Sequence, residues 1–123
     1  MDDPHFTHEY QRKIAFEKRL EESKRIIAKH PTRVPLIIER AAGCTTVENI
    51  DKKKFLVPND LTVGQLMFVV RKRLRTLTAE QGLFFFINES MHPPGALLST
   101  IYAQHKHEDG FLYVLYASEN TFG

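Results

Sequence analysis

Cysteine is almost missing from this sequence: Cys44 is the only one among 123 residues. That excludes a disulfide framework and a thiolate cluster for zinc, and it suits a reducing cytosol. Long apolar runs are missing too. None approaches the roughly 20 residues of a membrane span, and the N-terminus MDDPHFTHEY is acidic and polar where a signal peptide is basic and then apolar. Any membrane attachment is therefore expected to be peripheral or covalent. There is no Gly-rich phosphate loop, no G-x-S-x-G elbow and no paired-carboxylate motif, so no positive signal for catalysis exists. The expectation is a protein that is not an enzyme and carries no cofactor and no metal. RNA-recognition strands, zinc fingers and Gly-rich clamps are absent as well, which sets nucleic acid aside as a partner.

What is present fits one domain. A chain of this length with 42% hydrophobic residues can bury roughly two thirds of its unfolded surface around a single core. The net charge is only +2, but its distribution is uneven. From Lys52 to Arg75 there are seven basic residues and one acid, Asp60, whereas beyond Gln104 acids outnumber Lys and Arg three to one. One face is expected to be basic.

Residues 7 to 30, THEYQRKIAFEKRLEESKRIIAKH, are rich in helix formers, with Phe16, Leu20 and Ile27 near one face and Ile26 on its shoulder. Glu21 and Glu22 precede Arg25 by four and three residues, which gives the exposed side weak ion-pair support. Pro31 ends the helix. VPLIIER at 34 to 40 and KKFLVP at 53 to 58 read as two strands, able to pair as a long-looped hairpin. Pro58 cannot donate to a ladder, which places the second strand at an edge or ends it there.

LTVGQLMFVVRKRLRTL opens with a helix start: Thr62 as N-cap, Gln65 as its capping-box partner and Leu61 against Leu66 as a staple. Val63, Leu66, Met67, Val70, Leu74 and Leu77 form its expected buried stripe, and Arg71, Lys72, Arg73 and Arg75 crowd its last turns. LFFFIN reads as a buried strand, HPPG as a rigid loop, ALLSTIYAQHKHED as a short helix with Leu98, Ile101 and Tyr102 inward, and FLYVLYA as a central strand. The order suits an α+β roll, a mixed four-stranded sheet wrapping one main helix, with first and last strands parallel at the centre. Phe55 and Val57 point one way along the second strand, and Leu56 and the stem of Lys54 the other. A sheet apolar on both faces must be covered on both, by the main helix on one side and the N-terminal helix on part of the other.

On the residues alone, Phe55, Leu56 and Val57 read first as core. The other reading is an edge strand that takes an extended peptide by β-augmentation, with alternate side chains dropping to either side. Lysines 52 to 54, with Arg33 and Arg73 nearby, would attract an acidic peptide or simply keep the edge soluble. His105, His107, Glu108 and Asp109 have ligand-type side chains. If they continue the short helix, however, His105 and Asp109 share a face and His107 does not, so a solvated helix end is expected. Cys44 has no base supplied by a neighbouring motif and reads as incidental.

FEKR at 16 to 19, then PTRVPLIIER, DKKKFLVPNDLTVGQ, VRKRL, LFFFIN and DGFLYVLYASENTFG carry a close resemblance to the GABARAP-type autophagy ubiquitin-like modifiers, from about Phe16 to Gly123. The resemblance implies a ubiquitin-like β-grasp over residues 31–117, a helical extension over 1–30, and a flexible tail over 118–123. It implies that Gly123 is activated with ATP, passed through the activating and conjugating enzymes of the autophagy pathway, and joined by an amide to phosphatidylethanolamine. Glycine suits that role, since a residue without Cβ threads a narrow channel and leaves its carbonyl open to attack. The modifier is then a substrate of the chemistry and not its catalyst.

The resemblance further implies binding of acidic aromatic-x-x-aliphatic peptides on cargo receptors and autophagy factors, which turns FLVP from core into a docking strand. The aromatic pocket would use Glu22, Ile26, Pro35, Ile37, Lys54, Leu56 and Phe111. The aliphatic pocket would use Phe55, Val57, Pro58, Leu61, Leu66 and Val69, with Arg33 and Arg73 for the acidic flank. A cysteine protease would process and delipidate the protein, which would be cytoplasmic and, when lipidated, on the autophagosome membrane. The runner-up is a non-conjugated peptide-binding adaptor in vesicle traffic or on microtubules. Ala15 stands where the family commonly has a proline between two short helices, so a continuous or shifted first helix is expected. Leu66 stands where an aromatic is usual, which leaves more room in the second pocket.

Overall fold

The computed structural model describes residues 8–119; the end of SENTFG, including Gly123, lies outside the described residues. Two N-terminal helices, α1 (Glu9–Lys13) and α2 (Phe16–Lys29), precede β1 (Arg33–Arg40), β2 (Lys54–Pro58), α3 (Val63–Arg71), β3 (Phe84–Ile87), α4 (Leu98–His105) and β4 (Leu112–Ala117). The sheet order is β2-β1-β4-β3. β1 pairs antiparallel with β2 and parallel with β4, and β3 closes the other edge antiparallel to β4. The expected α+β roll, with first and last strands parallel at its centre, is the observed architecture.

Both faces of the sheet are covered, as the strand parities required. On one face Val63, Leu66 and Val70 of α3 pack with Val34, Leu36, Ile38, Phe55, Val57, Leu112 and Val114 in the main core. On the other, Tyr10, Ile37 and Phe111 form a second buried group joined by Ile14, Ile26 and Tyr113. α3 begins as its sequence dictates: the Thr62 side chain accepts from the Gln65 N–H, and the Gln65 side chain accepts from the Thr62 N–H.

Three expectations are corrected. The first helix is neither continuous nor merely shifted. It breaks at Ile14 and Ala15, both extended, although no proline is there. The Arg19 Nε–H donates to the Ile14 carbonyl at 2.9 Å, while Ala15 serves as N-cap of α2 and accepts from the Lys18 and Arg19 N–H groups. A side-chain bond from five residues further along the chain thus helps to hold the break. Second, α3 stops at Arg71, not Leu77. The Arg73 N–H turns to Val70 O and the Leu74 N–H to Arg71 O, so Leu74 and Leu77 reach the core from turns, and of the basic run only Arg71 lies in the last helical turn.

Third, the HKHED run does not form a wholly solvated helix end. α4 ends at His105, and Asp109 is fully buried. One of its carboxylate oxygens, Oδ2, takes the Arg19 guanidinium at 2.5 Å and the Tyr113 hydroxyl; Oδ1 takes the Phe111 N–H at 2.9 Å; its carbonyl takes the Ser23 hydroxyl. Beside it Gly110 has φ +92°, and a Cβ there would collide with Ser23, so this close approach of α2 requires glycine. Cys44 is also buried, with Sγ 3.7 Å from Thr46 Oγ1 and 3.6 Å from Ser118 Oγ. Burial works to raise its thiol, and the hydrogen bonds from Ser118 and Thr46 outweigh that and hold it below the ordinary value.

Candidate functional site

β2 is an edge strand whose outward backbone can be deduced from its register. Ile38 N donates to Lys53 O at 2.8 Å. Antiparallel pairs alternate between bonded and non-bonded, so Leu36 with Phe55 and Val34 with Val57 are bonded pairs, whereas Pro35 with Leu56 and Ile37 with Lys54 are not. The backbone groups of Lys54 and Leu56 therefore face away from the sheet. Pro35 and Pro58 both sit in non-bonded pairs, where a missing N–H removes no bond between β1 and β2. Arg33 Nη1 reaches round to the outward Leu56 carbonyl at 3.3 Å.

The two residue sets expected to form pockets lie on opposite sides of this strand. Pro35, Ile37, Lys54 and Leu56 share the face covered by α2, where Ile26 packs against Ile37 and Phe111. Glu22 closes that end, with its Oε2 2.6 Å from Lys54 Nζ. Arg25 pairs with Glu21 at 3.9 Å, while the hydrogen-bond partners of Glu22 are Lys54 and Tyr10 and Arg25 adds a longer-range attraction. Burial tends to raise the Glu22 carboxyl, but Lys54 and the Tyr10 hydroxyl outweigh this and lower it.

On the opposite side Phe55 and Val57 are buried, Leu61 is half-buried, and Pro58 and Val69 are exposed. Leu66 is fully buried and can serve this side only as its floor. Phe55 lies beneath two cations, Lys52 Nζ at 5.2 Å and the Arg73 guanidinium at 5.7 Å from its ring centre. Arg73 is also bound to Asp51 at 3.2 Å.

Sequence reasoning missed three residues here. Phe68 is 61% exposed beside Val69 and carries Lys72 Nζ over its ring at 4.3 Å; its place off the buried stripe of α3 was the available signal. Lys52 was counted only as charge. Tyr10 is the third, and its ring lies within the aromatic set: Lys54 Nζ is 5.3 Å from its centre, Phe111 meets it edge-on at 5.8 Å, and its hydroxyl donates to Glu22 Oε1 at 2.7 Å. Burial first, then that bond, pushes the Tyr10 phenol well above its ordinary value. No local pattern could have found it, because its partners lie on four other segments.

α1 is held in place by Glu39. Its Oε1 is 2.8 Å from His8 Nδ1, and its Oε2 accepts from the Tyr10 N–H at 3.1 Å and from Lys53 Nζ at 2.9 Å; Lys53 also reaches Glu9 at 3.2 Å. Burial alone would raise this carboxyl, but His8 and Lys53 outweigh it and bring it down from 4.5 to about 2. A lowered folded-state value stabilises the fold above the unfolded value and is lost as pH falls through the folded one. Wild type should therefore lose stability between pH 4.5 and 2 more steeply than Glu39→Gln, by about 2 kcal/mol after solvent screening. Urea unfolding across that range measures the difference.

Two depressions of about 520 and 330 Å³ lie elsewhere, the first bordered by Asn88, His105 and Tyr113, the second by Ile38, Glu39 and Asn49. Neither is lined by a residue of the predicted pockets. The candidate site lies along an edge strand, the kind of surface that strand addition uses. Among the described residues no three His, Cys, Asp or Glu side chains are grouped to hold a metal ion, and no helix is long and apolar enough to cross a membrane.

Comparison with known proteins agrees with this architecture. The family described as "Autophagy protein Atg8 ubiquitin like" matches residues 18–123. The Autophagy-related protein 8 of Kluyveromyces lactis is 53% identical over 114 residues, covering 93% of this chain and 90% of the relative. Autophagy-related protein 8b of Arabidopsis thaliana is 56% identical over 107 residues, covering 87% and 86%. The crystal structure of Trypanosoma brucei ATG8 superposes with a TM-score of 0.87 at 41% identity, over 95% of this chain and 99% of that one. The roll is thus the ubiquitin-like fold, and the chain belongs to the Atg8 family of autophagy ubiquitin-like proteins.

Proposed function

We propose that this protein is an autophagy modifier of the GABARAP type, joined through Gly123 to phosphatidylethanolamine, which recruits cargo receptors and autophagy factors by binding acidic aromatic-x-x-aliphatic peptides along β2. The observation that carries the peptide reading is the strand itself. Lys54 and Leu56 turn their backbone groups outward, and apolar side chains lie on both sides of the same five residues. An extended peptide adding to that edge would satisfy the outward groups and set alternate side chains on the two faces. Arg33, Lys52 and Arg73 border the strip and favour acids in the peptide.

The conjugation reading is supported by family membership, since the profile match runs to residue 123. The modifier supplies the acyl group; the activating and conjugating enzymes supply the nucleophilic cysteines and ATP chemistry; a cysteine protease processes and releases it. Its place is the cytoplasm, and the autophagosome membrane once the lipid is attached. No residue of the chain acts as a catalyst in this scheme.

The groove is tested by titrating a fluorescent acidic peptide with a Trp-x-x-Leu centre against wild type and Leu56→Asp. A carboxylate placed on the apolar aromatic side costs at least about 2 kcal/mol of desolvation or lost contact, so affinity should fall at least about 30-fold. Equal affinities in two folded proteins would remove the peptide from this strand.

A further inference from the structure

Three arginines lead up to a threonine in the turns that follow α3: Arg71, Arg73 and Arg75 stand five, three and one residues before Thr76. Residues 72–78 lie outside helix and strand, and Arg73, Arg75 and Thr76 are exposed. Alternating arginines ahead of an accessible hydroxyl form a charge pattern that the acidic substrate groove of a protein kinase selects. The Thr76 hydroxyl donates to Glu48 Oε1 at 2.9 Å, and the Thr76 N–H donates to the same oxygen at 2.5 Å. Those two bonds, ahead of the charge of Arg75, hold the Glu48 carboxyl below its ordinary value. Glu48 belongs to the loop between β1 and β2, and three residues further on Asp51 takes Arg73 at 3.2 Å. Two ties thus fasten the turns after α3 to the loop that leads into the docking strand.

Thr78 has arginines at two of the same spacings, Arg75 and Arg73, but its main chain is tied from both sides. Its N–H donates to Gln81 Oε1 and its carbonyl accepts from Arg71 Nη2, each at 2.8 Å. The bonds of Thr76 run to one solvent-accessible carboxylate, whose rotation frees the hydroxyl at small net cost.

We propose that Thr76 is a phosphoacceptor for an arginine-directed protein kinase, and that phosphate there weakens the capture of acidic peptides at β2. The second half rests on the peptide-binding reading of β2 and supplies its regulation. In the transfer the Thr76 Oγ bonds to the γ-phosphorus of ATP, the bond from that phosphorus to the bridging oxygen of ADP breaks, and the hydroxyl proton passes to the kinase's base. The product has no hydrogen to donate to Glu48 and sets about two negative charges beside that carboxylate, so the tie is lost. The phosphate oxygens recruit Arg75 and Arg73 instead. Arg73 borders the peptide strip, 5.7 Å from the centre of the Phe55 ring. Drawing it toward Thr76, with new negative charge beside it, removes attraction for the acidic flank of a peptide.

The full chain is incubated with ATP, magnesium and a purified kinase that requires arginine three residues before its acceptor, and the phosphate is mapped by mass spectrometry. It should sit on Thr76, persist in Thr78→Ala and vanish in Thr76→Ala. Phosphate confined to other residues, or none at all, would overturn the assignment.

The acidic Trp-x-x-Leu peptide is then titrated against the modified and unmodified chains. The protein has no tryptophan, so the peptide's indole emission reports binding without interference. The phosphorylated protein should bind about fivefold more weakly or worse, and the loss should shrink when the peptide's acids are replaced by their amides or when salt is raised. Unmodified Thr76→Ala should bind as wild type does. Unchanged or tighter binding after modification, or an equal loss with the amide peptide, would refute regulation by charge. If Leu56→Asp binds as wild type does, the groove itself is refuted and the regulatory half falls with it, whereas the mapped phosphosite stands or falls on its own mass.

Discussion

Gly123→Ala is expected to give no phosphatidylethanolamine adduct when incubated with the family's activating and conjugating enzymes, ATP and liposomes containing that lipid, under conditions in which wild type is converted. In the proposed conjugation the terminal carboxylate would be joined first to AMP, then to the enzymes' cysteine thiols, then to the lipid amine, and each step would need the carbonyl to be approached closely from one side. A methyl group on the adjacent carbon restricts the φ and ψ values that let the chain thread an enzyme channel, and a displacement near 1 Å at a reacting centre costs about a hundredfold in rate. Acyl transfers in series multiply the loss. Mass spectrometry of the liposome fraction measures it, and equal adduct from both proteins would end the conjugation reading while leaving the peptide groove standing. The substitution lies beyond the residues that build the sheet, so peptide affinity at β2 should be unaltered.

Asp109→Ala is expected to cost about 3–5 kcal/mol of folding stability, the range for stranding one member of a buried ion pair. Asp109 is fully buried and Arg19 nearly so. Removing the carboxylate leaves the Arg19 guanidinium without its charge partner and the Phe111 N–H and Tyr113 hydroxyl without an acceptor. For a domain whose total stability is of order 5–15 kcal/mol, that is a large share, and thermal or urea unfolding will show it. The double replacement Arg19→Met with Asp109→Leu should cost less than Asp109→Ala alone, because neither charge is then left buried and unpaired. A double variant as unstable as the sum of its two single variants would show that the pair acts through packing and not through charge. Function follows stability here: α2 carries Glu22 and Ile26, and the Asp109 hub is what binds α2 to the segment leading into β4.

Much of the fold was legible because its signals are short-ranged. The capping box spans only Thr62 to Gln65, and it forms as expected. Runs such as VPLIIER and FLYVLYA are rich in β-branched, aromatic and other apolar residues, and both become central strands buried on two faces. KKFLVP showed apolar residues at both parities, which required helices on both sides of the sheet, and α3 and the N-terminal helices provide them. The candidate groove was half legible for the same reason: the alternation of Lys54, Phe55, Leu56 and Val57 is local, whereas the residues that meet each side chain come from elsewhere.

The break after Lys13 was hidden, since the residues there are good helix formers and the carbonyl of Ile14 is satisfied by Arg19. The burial of Asp109 was hidden because its cation lies 90 positions away, and a charged HKHED run ordinarily meets water. Tyr10 was hidden twice over. It belongs to a polar segment, EYQRK, and its pocket is assembled from α2, β1, β2 and the residue preceding β4.

The sequence by itself determined the element types, the parallel central pair and the need to cover both sheet faces, which follow from periodicity and strand parity, and proline placement narrowed β2 to an edge strand or one that ends at Pro58. Its motifs also carried the family resemblance. Only the tertiary structure decided where the first helix breaks, that Asp109 and Arg19 form a buried pair, that Glu39 secures α1, and that Tyr10 packs with Ile37 and Phe111 beside Lys54 and Glu22. The physical reason is range. Backbone propensity and apolar patterning act over a few residues, while a buried charge or a filled pocket depends on which distant side chains the completed fold brings within hydrogen-bonding distance.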